Sequence, residues 1–389
     1  MIPRLLTSQV RELHRYFPIL YIGGPRQSGK TTLIRALYPD VPYRNLENPD
    51  TLSYASSDPR GFLANFPEGA IFDEAQRVPE LFSYLQEIAD NNPQHRFVLS
   101  GSQNFLLLER ITQSLAGRVG LLTLLPFSSQ ELAAAHLLPE VLTLAWQGGY
   151  PPLYDRKIPP GKFYPNYVTT YLERDVRQLV NVGDLTRFNR FLRLCAGRAG
   201  QLLNLSALAQ DADIAVNTVK SWLSILEAAY LIFRLPPYHK NYNKRLIKSP
   251  KLYFYDTGLL CFLLRISSPD QLDTHFAYGA IIENLMISEH YKLYSNAGER
   301  PPLYYWRDSN GNEVDLLVER SDRLISIECK ASRTFKSTHF KGLRWWQKTT
   351  GLSADHSRVL YLGDHSYQTQ DGALVSWQDW ISDATVEWD

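Results

Sequence analysis

The chain has 389 residues, 44% of them hydrophobic and 21% charged, with a formal net charge of +1. That length exceeds what one hydrophobic core usually serves, so two or three domains are expected. The near-neutral balance excludes a polycation, and any nucleic-acid contact must then come from local basic patches.

Three cysteines, Cys195, Cys261 and Cys329, are widely spaced and odd in number, which fits neither a disulfide framework nor a zinc pattern. They read as small buried hydrophobes in a reducing compartment. No apolar run is long enough to span a membrane, so a cytoplasmic location without membrane contact is expected.

The first predicted element is a charged amphipathic helix in "MIPRLLTSQVREL", not a signal peptide. "YFPILYIGGPRQSGKTTLIRALYP" then runs from apolar strand through a glycine turn to a helix. Gly24, Gly29, Lys30 and Thr31 satisfy G-x-x-x-x-G-K-[ST] in that context. Such a turn lets backbone N–H groups curl around a phosphate, and the helix N-terminus adds partial positive charge. Lys30 is expected to reach the β- and γ-phosphate oxygens and Thr31 to ligate Mg²⁺. Pro25, Arg26, Gln27, Ser28 and Thr32 complete the expected ATP/ADP site.

"GAIFDEAQRVPEL" supplies a short apolar strand, Ala70–Phe72, ending in Asp73 and Glu74 and expected beside the first strand. Asp73 would hold the Mg²⁺ shell and Glu74 would polarise the attacking water. At the polar tip of the strand in "HRFVLSGSQNFLL", Ser102 or Gln103 is placed to sense a γ-phosphate. Arg118, in "SLAGRVGLLTLLPFSSQEL", falls between a helix and another strand. It is either a plain surface arginine or one that neutralises transition-state charge, in cis or towards a neighbouring subunit.

Strands alternating with helices imply a doubly wound parallel sheet with the nucleotide at the carboxyl ends of the strands. In their order, "GPRQSGKTT", "FDEAQ", "LSGSQ", "LAGR" and "PFSSQE" resemble the AAA-type ATPase superclass. The likeness is closest to its prokaryotic ATP-binding protein family, in which a compact ATPase is fused to a C-terminal domain of unknown function. "YLERDV", "SPKLYFYDTGLL", "IENLMISE" and "NEVDLL" extend the likeness over most of the chain. The resemblance implies ATP hydrolysis with ATP and Mg²⁺ as cofactors.

The Gly/Pro-rich "GGYPPLYDRKIPPGKFYP" reads as a connector. In "NLSALAQDADIAVNTVKSWLSILEAAYLIFRL" a short helix capped by Ser206 precedes a turn at Asp213–Ala215. The helix after it carries an apolar stripe at Val216, Val219, Leu223, Leu226 and Tyr230. Asn217, Thr218 and Lys220 then point outward, the layout of a helix-turn-helix with its recognition helix. "YHKNYNKRLIKSPK" has no acid and presents Lys240, Lys244, Arg245, Lys248 and Lys251 beside two tyrosines, where a wing would contact DNA. Protein packing is the alternative use of such a module.

The last third alternates a helix, "GAIIENLMISEHYKLY", with strands "PLYYWR", "EVDLLVER" and "LISIECKAS", then a helix and the strand "RVLYLG". Asp315 sits in one strand, and Glu328 and Lys330 share one face of the next, because side chains alternate with period two. With Glu283 on the preceding helix, this order resembles the PD-(D/E)xK nuclease superfamily. The resemblance implies a divalent ion held by Glu283, Asp315 and Glu328, with Lys330 orienting the nucleophile.

The sequence thus divides into an AAA-type P-loop ATPase domain (1–145), a helical and winged-helix domain (146–268) and an α/β restriction-endonuclease-like domain (269–389). DNA is the expected partner. The alternative is an ATP-driven switch that assembles with itself or a protein partner and carries an inactive nuclease-like fold.

Overall fold

The structure, a computed structural model, describes residues 2–92, 94–102, 115–172, 185–239, 248–321 and 323–383. They form two compact units, and neither is a single stretch of chain. The first comprises Met1–Phe127, Ser224–Leu231 and Ser295–Glu299, and the second Ser128–Leu223, Ile232–Tyr294 and Arg300–Asp389.

The first unit is built on five strands: β1 (Ile19–Gly23), β2 (Tyr43–Asn45), β3 (Ile71–Asp73), β4 (Phe97–Gly101) and β5 (Val119–Thr123). All are parallel, in the order β2-β3-β4-β1-β5. Successive residues of β1 enter opposite cores. Ile19 and Tyr21 pack with Phe72, Phe97 and Leu99, while Leu20 and Ile22 pack with Leu33, Val98 and Leu122. Burial on both faces explains why β1, β3 and β4 read as continuous apolar runs rather than as alternating patterns. The amphipathic helix expected at the start is present as Thr7–Tyr16 and buries Val10.

One sequence expectation is corrected here. The strand bearing Asp73 is not beside the phosphate-loop strand, because β4 lies between them. Strand order is set by the crossovers, which a linear reading does not contain.

In the second unit, helices Leu185–Ala196 and Leu205–Ala212 and the start of helix Val216–Ala228, as far as Leu223, precede an antiparallel pair, β6 (Ile232–Leu235) and β7 (Lys251–Phe254). Phe188 and Phe191 close edge-on around Trp222, each with a centroid separation of 5.3 Å. The cap of Leu205–Ala212 is Asn204, whose side chain accepts from Ala207 N, and not Ser206. Two expected stripe positions also differ. Val216, at the first turn, is 37% exposed, and Tyr230 lies beyond the helix end with a left-handed backbone.

The second unit also holds a mixed sheet in the order β12-β13-β11-β10-β9-β8. Its strands are β8 (Leu303–Arg307), β9 (Glu313–Glu319), β10 (Leu324–Lys330), β11 (Ser357–Tyr361), β12 (Tyr367–Thr369) and β13 (Gly372–Ser376). The long helix Tyr278–Asn296 precedes this sheet in sequence, and helix Lys341–Thr350 packs against β9 and β10. All three cysteines are free and buried. Among the described residues no helix is long and apolar enough to cross a membrane.

Candidate nucleotide site and C-terminal acidic centre

The phosphate loop turns sharply between β1 and helix Lys30–Leu37. Gly24 has φ +148°, and a Cβ there would stand 2.1 Å from the Leu124 carbonyl oxygen. Gly29 caps the helix with φ +94°. Both positions therefore need glycine, which populates positive φ without steric cost. Lys30 is buried, and its ammonium donates to the Gly24 and Pro25 carbonyls at 2.9 and 2.8 Å. A residue the sequence did not single out braces the loop from outside. Arg4, itself buried, donates to Ser28 O at 2.7 Å and Leu125 O at 2.6 Å. A lone arginine 24 residues upstream carries no local signal.

The two motifs meet at Asp73. Its Oδ2 accepts from the Thr31 hydroxyl at 2.7 Å and from the Tyr43 hydroxyl at 2.8 Å. Its Oδ1 accepts from Ser100 and from the Glu74 amide. Burial first, and then Asp73 itself, push the Tyr43 hydroxyl above its ordinary pKa, so it stays a donor. The loop fits a Mg²⁺–nucleotide. Gly24 leaves the backbone open, Thr31 and Asp73 place two oxygens together, and the Ser28 hydroxyl is buried in the loop without a described hydrogen-bond partner. Pro25 is buried, Arg26 faces Glu47 at 3.5 Å, Gln27 has φ +61°, and Thr32 is exposed.

Glu74 has left-handed backbone angles, φ 57° and ψ 44°. Such a conformation costs a residue other than glycine roughly 1–2 kcal/mol. Its carboxylate accepts from Gln76 and, at 3.2 Å, from the Ser102 hydroxyl. Sequence reasoning missed Gln76, although it stands in the quoted "FDEAQ". Gln103 lies outside the described residues.

Arg118 is placed differently from one of its expected roles. Its carbonyl accepts from Ile19 N, and Val119 pairs with Ile19 at the amino ends of the strands. The phosphate loop leaves the carboxyl end of β1, roughly 13 Å away at the rise of a β-strand. The guanidinium holds Asp90, with Nη2 2.9 Å from Oδ2. Hydrogen bonding to it lowers the Asp90 pKa. This placement does not suit the cis role, and leaves the surface ion pair with Asp90 and the trans role.

On helix Val216–Ala228, Asn217 and Lys220 are exposed and Thr218 half-buried. Lys240, Lys244 and Arg245 lie outside the described residues. Lys248 is exposed, but Lys251 is not a surface cation. It is 2% exposed, and its ammonium faces Glu283 at 3.2 Å and Glu313.

That pairing belongs to the centre expected from the last third. Strands β7, β9 and β10 and helix Tyr278–Asn296 bring Glu283, Glu313, Asp315, Glu328, Lys251 and Lys330 into one cluster. Glu283 also accepts from the Tyr253 hydroxyl at 2.6 Å. Lys330 stands 2.5 Å from Glu328 and 3.7 Å from Asp315, whose Oδ2 accepts from Cys329 N at 2.9 Å. Arg307 takes the other Glu313 oxygen at 3.0 Å. Burial, then Asp315, push Glu328 well above the usual carboxylate range. Burial also pushes Asp315 upward, but Lys330, then Lys251 and the Cys329 amide, outweigh it and hold Asp315 low. No group of three or more acids, histidines or cysteines among the described residues is placed to hold a metal ion. The divalent ion expected on Glu283, Asp315 and Glu328 does not fit them as they stand.

Three family descriptions match successive parts of the chain: an AAA domain over residues 16–133, a domain of unknown function (DUF8612) over 138–270, and another (DUF4143) over 278–380. Among solved structures, the Walker-type ATPase paby2304 of Pyrococcus abyssi is similar at 18% identity and TM-score 0.47, covering 68% of this chain and 96% of that one. A signal-transduction ATPase with numerous domains, PH0952 of Pyrococcus horikoshii, is similar at 12% identity and TM-score 0.23, over 75% and 45%. Uncharacterized protein Rv2008c of Mycobacterium tuberculosis and Mb2031c of Mycobacterium bovis are each 32% identical over 371 residues, 94% of this chain and 81% of theirs. The chain therefore belongs to the family of these two mycobacterial proteins, with an AAA domain of ATPase-like fold followed by a C-terminal DUF4143 domain.

Proposed function

We propose that the protein binds and hydrolyses ATP at the phosphate loop and uses the nucleotide state to act on DNA. The observation that carries the first part is the Thr31 hydroxyl donating to Asp73 at 2.7 Å, which brings the two expected motifs to one point. Lys30 exchanges its carbonyl partners for the β- and γ-phosphate oxygens, and the loop amides take the rest of the charge. Mg²⁺ bound with the triphosphate would be held by Thr31 and Asp73, and it supplies charge neutralisation at the phosphate oxygens. Glu74 accepts the proton of the attacking water, and Ser102 reports the γ-phosphate.

Lys30→Ala should abolish nucleotide binding. Glu74→Gln should retain binding and lose about 10²–10⁴-fold in turnover, the range for a positioned acid–base group. A fluorescent-nucleotide titration beside a phosphate-release assay separates the two. Normal turnover in Glu74→Gln would remove Glu74 from this role.

For the DNA part, the support is a three-helix segment followed by an antiparallel pair, with Asn217 and Lys220 outward. We read it as a winged helix within the division 1–145, 146–268 and 269–389. Alanine at Lys240, Lys244 and Arg245 should weaken DNA binding, each lost phosphate contact flattening the log–log salt dependence by about one. Unchanged affinity and slope would favour the second reading. There the nucleotide state addresses a protein partner, and the nuclease-like domain serves as an inactive docking fold. What favours that reading is the pairing of the C-terminal acids with lysines.

A further inference from the structure

Hydrated Mg²⁺ is held by carboxylates that are free to turn their oxygens to it. In the C-terminal centre those oxygens are already spoken for. Glu283 accepts from Lys251 and Tyr253, and Glu313 from Lys251 and Arg307. Asp315 accepts from Cys329 N and faces Lys330, while Glu328 accepts from Lys330. A close backbone wall covers Glu328 as well, since a Cβ on Gly342 would fall 2.2 Å from its Oε1.

Charge leads to the same place. Four carboxylates, those of Glu283, Glu313, Asp315 and Glu328, are faced by Lys251, Lys330 and Arg307. Each carboxylate of the cluster thus has a cation that the chain itself carries. Of these, Lys330 keeps 29% of its side chain exposed and has room to swing away, whereas Lys251 keeps 3%. An incoming ion would have to push that ammonium out from between the carboxylates, and a side chain only 3% exposed would have to carry its charge into other buried surroundings.

We propose that Lys251 is a built-in cation that stands in for the divalent ion of a nuclease-like centre, leaving the C-terminal domain metal-free and non-cleaving. The inference goes beyond the ATPase reading and does not depend on it. It also accounts for a basic residue of the predicted wing that turns inward instead of towards DNA.

The test is Mn²⁺ titration of the nucleotide-free full chain followed by electron paramagnetic resonance. Asp73→Asn is present throughout, so that the nucleotide pocket contributes no site. The parent should show no Mn²⁺ binding that Asp315→Asn removes. Lys251→Met, which keeps the apolar stem and deletes the charge, should gain at least about tenfold in Mn²⁺ affinity, and Asp315→Asn added to it should abolish the gain. Lys251→Arg, which keeps a cation, should gain nothing.

Mn²⁺ binding by the parent that Asp315→Asn abolishes would overturn the proposal. A folded Lys251→Met that gains no ion would overturn it too. If Lys251→Met does not fold, the parent compared with Asp315→Asn decides alone.

Discussion

At the scale of single residues, the nucleotide site depends on positions that tolerate one side chain or none. Gly24 combines a positive φ with a 2.1 Å approach of any Cβ to Leu124 O. Gly24→Ala should therefore lose nucleotide binding and about 1–3 kcal/mol of stability, the usual range for a forced backbone conformation. Fluorescent-nucleotide titration and denaturant melts read the two effects, and wild-type binding would show that the loop relaxes without cost. That Lys30 and Thr31 would lie in one turn, and Asp73 and Glu74 at the end of one strand, was legible because motif spacing carries it. Arg4, Gln76 and Lys251 were not, because each works through a neighbour brought near only by the fold. Lys251 shows the limit best. In sequence it closes a basic run, yet in the fold it is 2% exposed and its charge lies between two glutamates.

At the scale of elements, the strands β8, β9, β10 and β11 and the long helix Tyr278–Asn296 fall on the runs quoted for them in the sequence. Strands β12 and β13 escaped notice, being short and bounded by polar residues. The long helix also carries a pH response. His290 is 4% exposed, its Nδ1 lies 2.7 Å from Met286 O, and its ring lies tilted against Trp380 with centroids 4.7 Å apart. Burial lowers its pKa to about 4. A histidine whose folded pKa lies below its unfolded value contributes stability that is present above about 6.5 and lost as pH falls towards 4. The difference is of order 3 kcal/mol. Thermal melts between pH 7 and pH 4 should therefore fall less steeply for His290→Leu than for the wild type. Parallel curves would mean that other groups set the acid transition.

At the scale of the whole molecule, Arg118 constrains how copies must meet if it acts in catalysis. It stands at the amino ends of the strands, away from its own phosphate loop, and can serve only the loop of another copy. Arg118→Ala and Lys30→Ala should then each lose ATPase activity alone, and mixing them should restore part of it, because a mixed contact pairs an intact loop with an intact arginine. Full activity of Arg118→Ala would return Arg118 to a surface ion pair with Asp90. The interleaving of the two units has a consequence in time. The chain leaves the first unit after Phe127 and supplies its last segment only at Ser295–Glu299. At a synthesis rate of roughly 5–20 residues per second, the ribosome exposes an incomplete first unit that must wait on the order of ten to thirty seconds for its closing piece. During that wait the apolar faces those segments would cover are open to solvent and to chaperones. Gene fragments that stop at residue 127 or 145 should inherit the same exposure permanently, and a soluble, nucleotide-binding product is to be expected only from chains that extend past residue 299.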